Sequence, residues 1–134
     1  AEHSKKRGTI FCLEPLSIKE TDFITSLEEG GEIIKHVDHP NLKLHLDTKV
    51  LFHTKKEFKS LLFTFKDIIK HVHVGDENLM PPGTINKEHA EIGKCLRDIN
   101  YKGFITLEMR RNLDNIEGSI KKSVKFIREN YLKV

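Results

Sequence analysis

The sequence predicts an α/β fold with a parallel sheet, because four short apolar runs alternate with segments of helical periodicity. Each run ends in a side chain that can bind a divalent cation: Glu14, Asp47, His73 and Glu108. These positions are 33, 26 and 35 residues apart. A β/α barrel uses about 30 residues per unit, so each gap matches one strand plus one helix. The chain is therefore expected to be a helix followed by four β/α units.

The four strands are predicted where short apolar runs are bounded by residues typical of turns. In chain order they cover residues 9–13, 42–46, 68–74 and 104–107. Residues 48–54 are expected to form a loop, and residues 75–86 a longer one that contains Pro81-Pro82-Gly83. Because consecutive strands are separated by helices, the crossovers are expected to be right-handed.

The helices are predicted from apolar residues at helical spacing and from residues that favour helix ends. Residues 1–7 have helical character and stop at Gly8, so they are interpreted as the end of a helix whose beginning is missing. Thr54, with Glu57 three residues later, forms a capping box for the helix that contains Phe65. The other predicted helices run from Thr21 or Asp22 to about His36, over 86–99 and over about 115–131. Two adjacent glycines weaken the first of these.

Four strand–helix units are half of an eight-stranded barrel, and residues 1–134 are expected to form this half as a single domain. A free half leaves two sheet edges and an open interior. We therefore expect either a missing N-terminal half, with this chain as the equivalent of strands 5–8, or closure by a homodimer. The incomplete first helix favours the missing half.

The composition indicates a soluble globular domain, with 37% hydrophobic and 32% charged residues. The net charge of +3 comes from scattered Lys and Arg side chains, so a nucleic-acid-binding surface is not expected. No apolar run is long enough for a transmembrane helix, and no signal peptide is visible. Cys12 and Cys95 are interpreted as reduced, buried thiols, which favours a cytoplasmic location.

The four strand ends predict a metal site. In a parallel β/α sheet all strand C-termini lie on one side, and active sites are built there. Three carboxylates and one imidazole should therefore converge in Glu14, Asp47, His73 and Glu108. Three oxygen donors and one nitrogen donor suit Mn²⁺, Mg²⁺ or Co²⁺ better than a structural Zn²⁺, which prefers thiolate and imidazole.

Four segments together carry a resemblance to a known family. They are Cys12-Leu13-Glu14-Pro15-Leu16 followed by Glu20-Thr21-Asp22, Leu44-His45-Leu46-Asp47-Thr48, His71-Val72-His73-Val74-Gly75-Asp76 with Pro81-Pro82-Gly83, and the segment from Ile99 to Glu108. In order and spacing they resemble the C-terminal half of the sugar phosphate isomerase/epimerase superfamily. Its members resemble xylose isomerase, ketose 3-epimerases and endonuclease IV in having metal-binding TIM barrels.

The resemblance implies roles for individual residues. The family's metal ligands fall on Glu14, Asp47, His73 and Glu108. It also implies that Glu14 and Glu108 are the catalytic acid–base pair, one on each face of the substrate carbon. Glu20 takes the position of a glutamate that contacts the substrate. The implied reaction is proton transfer beside a carbonyl, through an enediolate, in a sugar or sugar phosphate.

The sugar-binding positions depart from the family's pattern. Val50 stands three residues after the metal aspartate, where epimerases have a histidine, and Leu79 stands where they have an arginine. Lys49 resembles a variant "DxK" pattern and is interpreted either as a ligand for a sugar hydroxyl, carboxylate or phosphate, or as a solvated loop lysine. His53 is interpreted as a surface or loop residue, with replacement of the missing histidine as the alternative.

Two other histidines lie in the predicted strands. His71 has the same parity along its strand as His73, so it is expected to be either a hydrogen-bond donor supporting the metal ligands or a satisfied core histidine. His45 is interpreted as a surface or loop residue.

Two other functions compete with a sugar isomerase or epimerase. The first is a DNA-repair nuclease of the endonuclease IV type, which would require more metal ligands and a basic surface facing DNA. The second is an inactive half-barrel that binds metal poorly or pairs with itself.

Overall fold

The computed structural model describes residues 1–54 and 56–133 and confirms the predicted α/β class. Four strands form one parallel sheet in the order of the chain. The strands are β1 Phe11–Leu13, β2 Leu42–Asp47, β3 Ile69–Val74 and β4 Phe104–Leu107. Because β1 and β4 are the two outer strands, each has one edge without a partner in the described part of the chain.

Helices connect the strands as the spacing predicts. They are α1 Glu2–Lys6, α2 Leu27–Val37, α3 Thr48–Leu51, α4 Phe58–Phe65, α5 His89–Asp98 and α6 Ile116–Ile127. A short 3₁₀ turn follows β3 at Glu77–Leu79, and a π-helical turn at Arg128–Leu132 extends α6. None of the helices in the described ranges is long and apolar enough to span a membrane.

The apolar core lies between the sheet and the helices. Leu44, Leu46, Val72 and Val74 have no exposed surface and belong to one cluster with apolar side chains of the helices. The alternate residues of β2 and β3 point to the other face of the sheet. These residues are mostly polar: Lys43, His45, Asp47, His71 and His73. The strands therefore separate an apolar face, which packs on helices, from a polar face.

The two adjacent glycines of α2 allow the helix to approach the rest of the core closely. A Cβ atom on Gly30 would lie 2.9 Å from Leu44 Cδ1, and one on Gly31 would lie 2.2 Å from Phe65 Cε1. The glycines weaken the local helix preference, but they remove the side chains that would hold α2 away from β2 and α4. Tertiary packing therefore explains why the helix continues through them.

Three predicted helix starts are wrong, because local hydrogen bonds place the helix ends elsewhere. The cap of α2 is Ser26, whose Oγ accepts a hydrogen bond from Glu29 N at 3.2 Å, and not Thr21 or Asp22. Thr54 does not cap α4, because its hydroxyl accepts a hydrogen bond from Lys56 N at 3.2 Å. The helix α5 begins three residues later than predicted, at His89, and the preceding Asn86 N–H donates to Asp76 Oδ2 at 3.1 Å.

The segment after β2, predicted as a loop, begins with the single helical turn α3. Asp47 is its N-cap, and Asp47 Oδ1 accepts a hydrogen bond from Lys49 N at 2.9 Å. All four residues of the turn are buried. A helix this short has no periodic pattern in the sequence, yet it determines where the Lys49 side chain points.

Candidate metal centre

The four predicted ligand residues lie together at the C-terminal edge of the sheet. One ligand atom from each of Glu14, Asp47, His73 and Glu108 lies within 4.8 Å of the other three. The strand register explains this convergence, because Asp47 pairs directly with His73 across β2 and β3. Glu14 and Glu108 each follow the last residue of an outer strand. The structure therefore brings together all four side chains that the sequence selected.

Three of the four residues in this cluster have a buried atom without a regular hydrogen bond. Asp47 Oδ2, His73 Nδ1 and Glu108 Oε2 are buried and accept no hydrogen bond of regular geometry from the residues that the structure describes. His73 Nδ1 lies 3.8 Å from Glu14 Oε1 and 3.7 Å from Glu108 Oε1. Buried polar atoms normally have a partner. Two carboxylates and one imidazole without a regular hydrogen bond, beside the carboxylate of Glu14, fit a hard divalent cation such as Mn²⁺ or Mg²⁺.

The protonation equilibria of the cluster reflect its crowded negative charge. Burial and the nearby carboxylates of Asp47 and Glu108 raise the pKa of Glu14 to about 7. Burial raises the pKa of Asp47 to about 6, against the opposing effect of Lys49. Burial also lowers the pKa of His73, which favours the neutral imidazole that metals bind. A divalent cation would relieve the cost of ionising these carboxylates side by side.

Lys49 lies inside the cluster rather than in a solvated loop. Its side chain is 7% exposed, and Nζ lies 3.0 Å from Asp47 Oδ2 and 3.1 Å from Glu108 Oε2. The interpretation as a solvated lysine is therefore wrong. Burial alone would lower the pKa of Lys49, but the two carboxylates outweigh it and raise the pKa above its ordinary value.

A polar cavity of about 340 Å³ adjoins the cluster. Its lining residues are Ser17, Lys19, Glu20, Lys49, His53, Glu77, Asn78 and Leu79. Glu20 Oε2 accepts a hydrogen bond from Ser17 N at 3.1 Å, and Glu20 Oε1 lies 3.6 Å from Lys49 Nζ. Although partial burial opposes it, the hydrogen bonds from Ser17 and the charge of Lys49 lower the pKa of Glu20. Both predicted substrate-binding residues thus line the cavity beside the four-residue cluster.

His53 lines the same cavity at a different place from the cluster. Its Nε2 lies 3.8 Å from Glu77 Oε1. Glu77 also pairs with Lys19. His53, Glu77 and Lys19 therefore form a second group of polar side chains on the wall of this cavity.

His45 is buried beside the four-residue cluster of Glu14, Asp47, His73 and Glu108. Its interpretation as a surface or loop residue is therefore wrong. It is 7% exposed, its Nδ1 lies 3.5 Å from Glu14 Oε2, and its ring centroid lies 4.0 Å from that of His73. Burial, followed by the nearby His73 and His71, lowers the pKa of His45 to about 3. The signal was present in the sequence, because His45 has the same strand parity as Asp47.

His71 lies on the polar face of the sheet, as its parity predicts. Its Nε2 lies 3.1 Å from Thr106 Oγ1, and its ring centroid lies 5.1 Å from that of His73. The side chain therefore sits next to a predicted metal ligand while its hydrogen-bond partner belongs to β4. Its supporting role toward the ligands stays a prediction.

Known proteins with similar sequences include sugar epimerases. The D-psicose 3-epimerase of Ruminiclostridium cellulolyticum is 38% identical over 104 residues, which are 75% of this chain and 34% of the epimerase. A crystal structure of a D-psicose 3-epimerase in the presence of D-fructose superposes with a TM-score of 0.80 and 26% identity. That match covers 98% of this chain and 52% of the epimerase chain. The chain thus spans about a third to a half of the length of these relatives.

A nuclease is also among the similar proteins. The probable endonuclease 4 of Mesomycoplasma hyopneumoniae is 30% identical over 117 residues, which are 81% of this chain and 39% of the nuclease. This identity is lower than the 38% identity to the D-psicose 3-epimerase.

The family assignment agrees with the fold and with the resemblance seen in the sequence. The family described as xylose isomerase-like TIM barrel matches residues 1–130. This match covers nearly all of the chain and includes the four strands of the parallel sheet. The chain therefore belongs to the xylose isomerase-like TIM barrel family.

Proposed function

We propose that the natural protein containing this chain is a metal-dependent sugar epimerase or isomerase. The observation that carries the proposal is the convergence of Glu14, Asp47, His73 and Glu108, with buried atoms of Asp47, His73 and Glu108 that receive no regular hydrogen bond from the described residues. Its similarity to D-psicose 3-epimerases supports the choice of reaction class. We assign all four residues as ligands of one divalent cation, with Mn²⁺, Mg²⁺ or Co²⁺ favoured by the donor set.

The two glutamates are suited to proton transfer because of their positions in the sheet. Glu14 follows β1 and Glu108 follows β4, so they approach the centre from opposite outer strands. A divalent cation, when bound, supplies Lewis-acid activation of a carbonyl group. One glutamate removes the proton from the carbon beside the carbonyl, which gives an enediolate. The other returns a proton either to that carbon, which gives the epimer, or to the former carbonyl carbon, which gives the isomer once the hydroxyl proton has moved between the two oxygens.

The adjoining cavity is the proposed binding site for the rest of the substrate. Glu20 and Lys49 face it with one acceptor and one donor of hydrogen bonds. Such groups can hold the hydroxyl groups of a ketose, and Lys49 can also contact a phosphate. The proposed substrate class is therefore a sugar or sugar phosphate.

The polar face of the sheet requires further strands to close it. Because β1 and β4 have free edges in the described part of the chain, we infer that closure comes either from the rest of a longer polypeptide or from a second copy. In the first case this chain is the C-terminal half of one barrel domain, equivalent to strands 5–8.

The reaction can be tested with the natural protein in D₂O. The protein is loaded with Mn²⁺ and incubated separately with D-fructose, D-psicose, L-ribulose and D-fructose 6-phosphate. We expect exchange of the carbon-bound proton next to the carbonyl, seen by NMR, together with an epimer or aldose product. A chelator should stop the exchange, and added Mn²⁺ should restore it. Cleavage of DNA at abasic sites without any sugar exchange would contradict the proposal and favour the nuclease.

A further inference from the structure

The ammonium group of Lys49 uses the same carboxylate oxygens that the proposed metal ligands would offer to a cation. Nζ lies 3.0 Å from Asp47 Oδ2 and 3.1 Å from Glu108 Oε2. These two oxygens are buried and have no regular hydrogen bond from other described residues. A divalent cation held by the same oxygens would lie within a few Å of the ammonium group, where two positive charges repel each other.

We propose that Lys49 is an internal counter-cation of the metal centre, which a divalent cation displaces toward Glu20 when it binds. This inference rests on the proposed function, because it requires the four-residue cluster to bind metal. It adds a role for Lys49 that differs from contact with substrate. Lys49 lowers the affinity for the metal, and its position reports whether the metal is present.

The structure provides a second position for the displaced ammonium group. Glu20 Oε1 lies 3.6 Å from Nζ on the cavity side, and the Glu20 side chain is 40% exposed. Its other oxygen is held by Ser17 N, which fixes the carboxylate in place. A small rotation of the lysine side chain is therefore enough to move its ammonium group away from Asp47 and Glu108 and into an ion pair with Glu20.

Only the side chain of Lys49 needs to move. Its backbone N–H donates to Asp47 Oδ1 at 2.9 Å within the buried turn α3, so the main chain is anchored. This anchoring separates the two oxygens of Asp47: Oδ1 caps the helix, while Oδ2 faces the ammonium group. Because Lys49 also lines the cavity, binding of the metal would place a positive charge where the substrate is proposed to bind.

The inference predicts a gain of metal affinity when the positive charge is removed. Mn²⁺ is titrated by calorimetry into the wild type, Lys49→Met and Lys19→Met. We expect Lys49→Met to bind Mn²⁺ about tenfold more tightly, since loss of one nearby positive charge is worth at least about 1.4 kcal/mol. Lys19→Met is the matched control. Lys19 lines the same cavity but pairs with Glu77, so we expect its affinity to stay within twofold of the wild type.

A second measurement uses the unaltered side chain, in case Lys49→Met fails to fold. The lysine ammonium groups are observed by ¹⁵N NMR during titration with diamagnetic Mg²⁺, and the Lys49 signal is assigned by its loss in Lys49→Arg. We expect this signal to shift as Mg²⁺ binds, while the Lys19 signal stays constant. A Lys49 signal that does not move when Mg²⁺ binds would overturn the inference.

The outcomes separate this inference from the proposed function. Equal or weaker Mn²⁺ binding by Lys49→Met, with clear binding by the wild type, removes the counter-cation role and leaves the metal centre intact. Absence of binding by the wild type and by both variants removes the metal centre and the counter-cation role together. Tighter Mn²⁺ binding by Lys49→Met, without a change in Lys19→Met, supports both the metal centre and the counter-cation role.

Discussion

Thr48 and Gly75 are joined by two hydrogen bonds across the C-terminal ends of β2 and β3. Thr48 Oγ1 donates to Gly75 O at 2.8 Å and accepts from Gly75 N at 3.1 Å. Thr48 follows the proposed ligand Asp47, and Gly75 lies two residues after His73. One hydroxyl group therefore links the two central strands directly beside the candidate metal centre.

Replacing this hydroxyl by a methyl group should destabilise the fold. Thr48→Val keeps the shape of the side chain but leaves the Gly75 N–H and C=O buried without a partner. We expect the free energy of unfolding to fall by about 2 kcal/mol, measured by urea denaturation. Thr64→Val removes an exposed hydroxyl that donates to Ser60 O, and as a control it should change the free energy by less than about 0.5 kcal/mol. Equal effects of the two substitutions would contradict the role of the Thr48 link.

A bound divalent cation should stabilise the folded chain. At a free Mn²⁺ concentration of about one hundred times its Kd, the free energy of unfolding should increase by about 2.7 kcal/mol. This increase should raise Tm in a thermal scan. Asp47→Asn should remove this Mn²⁺-dependent gain, because it deletes a buried ligand charge at the centre of the cluster. Asp67→Asn, at an exposed turn position, should keep the full gain. A Tm increase that survives in Asp47→Asn would place the bound Mn²⁺ elsewhere.

The affinity for Mn²⁺ should rise with pH. Both Glu14, with its pKa raised to about 7, and Asp47, with its pKa raised to about 6, must lose a proton before they bind metal. Protons therefore compete with the cation below pH 7, and the competition disappears above it. Burial lowers the pKa of His73, so protons compete less for this imidazole than for a freely exposed one.

Calorimetry can test this pH dependence directly. We expect the affinity to increase about fiftyfold from pH 5 to 6, where both carboxylates take up protons, and about tenfold from pH 6 to 7, and to level off near pH 8. Titrations in two buffers with different ionisation enthalpies should show release of protons at pH 6. An affinity that is constant or falls between pH 5 and 7 would mean that these carboxylates are not the ligands.

Loss of one proposed proton-transfer group should abolish turnover. Glu108→Gln in the natural protein removes the carboxylate that follows β4, and we expect kcat to fall by at least about a hundredfold with an unchanged circular dichroism spectrum. Glu117→Gln is the matched control, since that side chain is exposed on α6 and pairs only with Lys121 in the described part of the chain. It should retain full activity. Full activity in Glu108→Gln would exclude Glu108 from the reaction.

The alternation of strands and helices could be predicted because it depends on local patterns. Apolar runs with a period of two or 3.6 residues are visible in any short window of the sequence. The predicted strand centres are therefore correct, although the predicted starts of α2 and α5 differ from the observed starts after Ser26 and at His89. Helix ends depend on which polar group takes each free N–H. The Ser26 hydroxyl, for example, accepts the Glu29 N–H and so places the start of α2 after Ser26.

The sequence by itself determined the α/β class and the four residues that meet at the strand ends. Parallel strands place their C-termini on one side, so the position of Glu14, Asp47, His73 and Glu108 in the chain was sufficient. Only the tertiary structure decided the environment of Lys49. Its charge is balanced by Asp47, two residues away, and also by Glu20 and Glu108, which are distant in sequence. Burial of a charge depends on such distant partners, and a local sequence pattern does not encode them.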